Sequence, residues 1–123
     1  MSRFVAVGLG LVLLFGAATL AAADEKGGTM DVSVTGEVID TFCYTAMDAK
    51  GTGHKQCGID CAKKGIPVGL LEKGTDKIHV LLPTKDKTAL PDALVGKMGE
   101  TVTVTGHPYT KGGVAFLTVE SVK

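Results

Sequence analysis

Asp31-Val32-Ser33-Val34-Thr35-Gly36-Glu37-Val38-Ile39-Asp40 is the stretch on which the fold turns. Val32, Val34, Gly36 and Val38 alternate with Ser33, Thr35 and Glu37. Successive strand side chains point to opposite faces, so a period of two predicts a half-buried strand. Ile39 breaks the parity, and Gly36 is read as a bulge that bends the strand. Similar runs follow further along the chain. A short second strand is expected at about 68–72, after Pro67. A third is expected at about 77–82, with Ile78, Val80 and Leu82 on the core side. Lys73-Gly74-Thr75 supplies the turn between them.

Pro83 ends the third strand, and Ala89 to Val95, followed by Gly96, reads as a short helix with a glycine stop. A fourth strand covers about 101–106, with Val102 and Val104 alternating with Thr103 and Thr105. Lys111-Gly112-Gly113 makes a turn into a fifth strand, about 114–122, with Ala115, Leu117 and Val119 on one side. Three strands, a short helix and two strands form the order of an OB-fold. The expectation is therefore a mainly β, five-stranded OB-fold-like barrel over residues 31–123. A small β-sandwich or an open meander is the alternative for the same strands.

The first 23 residues have a different character. Arg3 is the only charge before Asp24, and Phe4 to Ala23 is apolar or small apart from Thr19. The stretch ends Ala21-Ala22-Ala23, which completes the pattern of a secretory signal peptide. Residues 1–23 are expected to be cleaved, with contact to the membrane only during export. An uncleaved anchor is the alternative, but Gly8, Gly10 and Gly16 and the Ala-rich end favour cleavage. Residues 24–30 read as a flexible lead-in. The expected location is the periplasm or the exterior, an oxidising compartment. Across 123 residues, 13 basic side chains balance 13 acidic ones, and there is no Trp. Only Phe42, Tyr44, Tyr109 and Phe116 are aromatic beyond residue 23. A neutral chain with few stacking platforms is not expected to bind nucleic acid.

Residues 43–65 are too long for a hairpin connection and hold all three cysteines. His54 to Gly65 reads as a helix of about three turns. Thr52 or Gly53 can start it, and Gly65 before Pro67 can end it. His54, Cys57 and Cys61 stand at i, i+3 and i+7, which lie on one helical face. Cys43, placed at the end of the first strand, can complete a Cys3His set. That set suits tetrahedral zinc, and its thiolates also suit Cu(I). Such a shell requires its donor atoms to come within about 4 Å of one another. Met30 and Met47 could add thioether ligands but are read first as packing residues.

A disulfide is the competing reading. Cys57 and Cys61 are a helical turn apart, with Cβ atoms about 5–6 Å from each other. A disulfide needs roughly 3.5–4.5 Å. A bond would therefore join Cys43 to Cys57 or to Cys61, stapling an OB-fold binding module for a small ligand, peptide or glycan. One thiol would remain, so thiol redox chemistry is a third reading. Asp40 could orient His54 from behind. The expectation for Asp40 is nevertheless a solvated strand-end carboxylate. Tyr44 could cover the site, His79 is placed on the outer face of the third strand, and His107 in a turn before Pro108. No nucleophile elbow, P-loop or H-E-x-x-H appears, so nothing in the sequence supports hydrolysis or phosphoryl transfer, and the reading leans away from an enzyme.

Gly36-Glu37-Val38-Ile39-Asp40-Thr41-Phe42-Cys43, the H-x2-C-x3-C of His54 to Cys61, and Gly65-Ile66-Pro67-Val68-Gly69 occur in that order. This arrangement resembles a group of small exported bacterial OB-fold proteins carrying G-x-V-x-D-x-x-C, H-x2-C-x3-C and G-x-P-x-G. The resemblance implies a Cys/His site on an OB barrel and brings no substrate with it. The leading expectation is an exported protein that binds zinc or copper through Cys43, His54, Cys57 and Cys61.

Overall fold

The computed structural model describes residues 30–123. The expected signal peptide, residues 1–23, and residues 24–29 of the expected lead-in lie outside the described residues. In chain order the elements are β1 (Val32–Asp40), α1 (Thr41–Met47), a 3-10 turn (Thr52–His54), α2 (Lys55–Lys63), β2 (Val68–Glu72) and β3 (Ile78–Leu82). Then come α3 (Asp92–Val95), β4 (Thr101–Gly106), β5 (Pro108–Lys111), β6 (Val114–Thr118) and β7 (Ser121–Val122). The fold is mainly β, with one mixed sheet ordered β5-β6-β3-β2-β1-β4-β7.

β1 organises this sheet. Its N-terminal part pairs antiparallel with β4, from Val32↔Gly106 to Glu37↔Thr101. Its C-terminal part pairs antiparallel with β2, from Gly36↔Glu72 to Asp40↔Val68. Both registers run through Gly36 without an extra residue, so the expected bulge is absent there. The glycine instead answers to crowding, since a Cβ at Gly36 would overlap the Leu71 carbonyl. The burial of Val34, Gly36 and Val38 follows the alternation seen in sequence.

Seven strands replace the five expected, for two reasons. Residues 108–111, which link the two expected turns at Pro108 and Lys111, form β5 against β6. The expected fifth strand also divides at Val119 and Glu120. β6 runs parallel to β3 from His79↔Ala115 to Leu82↔Thr118. The chain then crosses over, with Val119 N donating to Leu82 O at 2.9 Å and Glu120 N to Thr105 O at 2.9 Å. β7 completes the crossing by pairing with β4. The hydrogen-bonded ladder keeps two ends, β5 and β7, and is not closed into a barrel.

The parity of β3 is opposite to the expectation. His79 and Leu81 are buried, while Ile78, Val80 and Leu82 are only partly so. Leu81 lies opposite the fully buried Leu117, which draws that face into the core. α3 is a single turn that delivers Leu94 into the same core, beside Leu70, Val38, Val104 and Met98. Burying a Leu or Val side chain contributes about 1.5–3 kcal/mol before the ordering entropy is counted.

Gly106, where β4 ends, marks a close approach of two backbones, because a Cβ there would overlap the Thr118 carbonyl. Gly106→Ala is expected to destabilise the protein by about 1–3 kcal/mol, read as a lower urea midpoint. Gly53→Ala is the control, since nothing lies within 4 Å of the added carbon.

Candidate metal centre

The site begins at the last residue of β1. Val38, Ile39 and Asp40 are all buried, and the Asp40 side chain is fully enclosed. This corrects the expectation of a solvated strand-end carboxylate. Asp40 is the N-cap of α1, and its Oδ1 accepts the Cys43 backbone N–H at 2.8 Å. An N-cap carboxylate accepting from the third helical residue satisfies a donor that the helix cannot. Thr41 adds a second anchor. Its N–H and its hydroxyl both donate to the Pro67 carbonyl, at 3.0 and 2.9 Å.

Cys43 therefore sits in the first turn of α1, not at the end of a strand. The insertion accordingly starts at Thr41, two residues earlier than expected. The signal in the sequence was the D-x-x-C spacing, which is that of an N-cap and its third helical residue. α1 ends at Asp48, in the left-handed region at φ 54. Cys43 is the buried residue of this helix, whereas Phe42 and Met47 are exposed. Met47 and Met30, expected as packing residues, are 61% and 77% exposed.

The second helix forms largely as its sequence predicts. The 3-10 turn leads into α2, with His54 at the N-cap. At the other end Ile66 N donates to Cys61 O and Gly65 N to Ala62 O, a Schellman closure. Gly58 is the buried residue of α2. A Cβ there would overlap Met98 and stand 3.4 Å from Asp40 Oδ2, so this glycine lets α2 lie directly over the carboxylate.

The two helices bring the expected residues together in part. His54 Nε2 lies 2.8 Å from Asp40 Oδ2. This contact engages one imidazole nitrogen and leaves the other as a potential donor. Donor atoms of Cys43, His54 and Cys57 all lie within 4.8 Å of one another. So do those of Asp40, Cys43 and Cys61. Cys43 Sγ and Cys61 Sγ are 3.9 Å apart, within the separation that a common ion requires. Among the described residues no group within 4.8 Å holds all four expected ligands. His54 and Cys57 meet Cys43 in an outer triad, Cys61 meets Cys43 and Asp40 in an inner one, and the expected shell of donors about 4 Å apart is not formed. Cys43 is buried, Cys61 half-buried and Cys57 exposed, so the site is open on the α2 side. All three are free thiols, and neither a Cys43–Cys57 nor a Cys43–Cys61 disulfide is present.

The electrostatics follow from this burial. Burial alone would raise the Asp40 pKa, but hydrogen bonds from the Cys43 N–H and from His54 outweigh it and hold the carboxyl below its usual value. Burial, then Asp40 and Cys61, push the Cys43 thiol up to about 12. The Cys61 thiol is also raised, by burial first and then by Asp40 and Cys57. An arriving cation must displace these thiol protons. The other histidines stand elsewhere. His79 Nε2 is 3.4 Å from Glu72, and His107 Nδ1 is 3.4 Å from Asp31. The Tyr44 ring carries the Lys50 ammonium 6.0 Å from its centre.

No protein-family model, curated protein or solved structure matches this chain.

The lowered Asp40 pKa gives a pH signature. A carboxyl whose native pKa lies below its unfolded value stabilises fully above about pH 4 and loses that contribution as pH falls through the native value. Asp40→Asn is expected to cost about 1.5–3 kcal/mol at neutral pH, the range for hydrogen bonds to a charged group. It should also flatten the acid limb of stability. Urea unfolding at stepped pH values checks both effects.

Proposed function

We propose that this protein binds a thiophilic transition metal ion, zinc or Cu(I), through Cys43, His54, Cys57 and Cys61. The observation that carries the reading is the meeting of Cys43, His54 and Cys57 donor atoms within 4.8 Å, drawn from two separate helices. In this reading Cys61, with its sulfur 3.9 Å from that of Cys43, turns toward His54 and Cys57 to supply the fourth ligand. Zinc and Cu(I) both accept thiolate and imidazole. Asp40 acts from behind the ligands. A carboxylate on the far imidazole nitrogen fixes the ring and raises its basicity, as it does in many metal sites.

The same reading assigns the sheet to an OB-like scaffold. Its support is the path of β6 and β7, which reaches from β3 to β4 in one continuous segment. Export belongs to the reading as well, supported by the charge-poor, apolar residues 4–23 and the Ala21-Ala22-Ala23 boundary. The group of small exported OB-fold proteins with the same three motifs is its proposed kin.

Reduced protein is expected to take up one equivalent of Zn(II) in a competition titration with a chromophoric chelator. Cys57→Ser and Cys61→Ser should each abolish stoichiometric uptake. Asp40→Asn should weaken it by about 10–100-fold, the usual effect of losing a partner behind a ligand. Uptake should fall with falling pH, because protons compete for the thiolates. Reduced protein that binds neither Zn(II) nor Cu(I) would overturn the reading.

A further inference from the structure

The two triads have one residue in common, and this gives the cluster a second chemistry. Three thiols can pair in three ways, and with the Cys43 and Cys57 sulfurs within 4.8 Å of each other the Cys43–Cys57 link is the competitor. Cys57 and Cys61 stand one turn apart on α2, where Cβ atoms about 5–6 Å apart are too distant for an unstrained bond. Cys43 and Cys61 belong to different helices, and their sulfurs already lie 3.9 Å apart. A disulfide bond is about 2.0 Å long, and rotation about the two Cα–Cβ bonds can supply the closure. Cys61 is half-buried, so a small oxidant can reach it, while Cys43 waits behind it in the interior.

We propose that Cys43 and Cys61 are the oxidation site of this protein, joined by a two-electron oxidant of the peroxide class, and that their joining ejects the metal. The inference rests on the metal reading above for its second half only. In the first step the Cys61 thiol attacks hydrogen peroxide, giving a Cys61 sulfenic acid and one water. In the second the Cys43 sulfur displaces the sulfenic hydroxyl, forming the Cys43–Cys61 bond and releasing a second water. Two thiols are oxidised and one peroxide is reduced. With the ion in place the sulfurs enter as thiolates, and two protons from solvent complete the waters. The inner triad then loses two of its members and the outer triad loses Cys43. His54 and Cys57 alone are too few ligands for a zinc shell. A dithiol reductant reverses the bond and restores the site.

The test treats reduced protein with one equivalent of hydrogen peroxide, both loaded with Zn(II) and metal-free. Free thiols are alkylated, and the protein is digested with trypsin and an Asp-specific protease, which parts Cys57 from Cys61 at Asp60. The expected product links the Cys43 and Cys61 peptides and leaves Cys57 alkylated. In the loaded sample one equivalent of Zn(II) should reach a chelator for each link formed, and dithiothreitol should return it. Cys57→Ser should form the same link, and Cys61→Ser should form none within the chain. A first product that contains Cys57, or zinc retained after the link has formed, would overturn the proposal. If reduced protein takes up no zinc but still forms the Cys43–Cys61 link, the metal reading falls and the oxidation site stands.

Discussion

A single buried carboxylate holds the functional end of this protein together. Asp40 has no access to solvent through its side chain, and a charge in that position is tolerated only when its oxygens are satisfied. One oxygen accepts the first turn of α1 and the other meets His54 at the head of α2. Moving either helix would leave an uncompensated charge in the interior. The carboxylate therefore fixes two segments that carry three thiols and an imidazole. Among the described residues no buried side-chain nitrogen or oxygen lacks a partner, so this polar cluster is complete.

The sheet supplies the rigid base for that arrangement. β1 pairs along both edges, with β4 toward its start and β2 toward its end. Its C-terminal residues stay paired with β2 as far as Asp40, where the chain turns into α1. Met98 and Gly58 then bring α2 down over the strand end. Packing places the helix, and the His54 hydrogen bond to Asp40 ties its head to the strand end.

The parts of this design that can be read from sequence are those encoded locally. Alternation in Val32 to Val38 marks β1, and the Gly65-Ile66-Pro67 exit marks the end of α2. The spacing of His54, Cys57 and Cys61 alone puts them on one side of a helix. Four of the five β3 residues are apolar, so alternation does not choose a face, and only pairing with Leu117 does. Asp40 misleads for a similar reason. An acidic residue at a strand end is ordinarily wet, and the histidine that justifies its burial comes 14 residues later. α1 is hidden because its seven residues are too few to display a helical period.

The two Thr41 bonds to the Pro67 carbonyl have a consequence for how such a protein can change over time. They stitch the neck of the excursion between β1 and β2, so its two ends meet at the sheet whatever lies between them. Solvent-facing residues of the excursion, such as Phe42 and Met47, can drift without disturbing the strand registers, whereas those packed on the sheet cannot. The segment from Asp40 to Pro67 carries its own cap and closure, yet it is fitted to this sheet through Gly58 on Met98 and through Ile59 and Ala62 against the core.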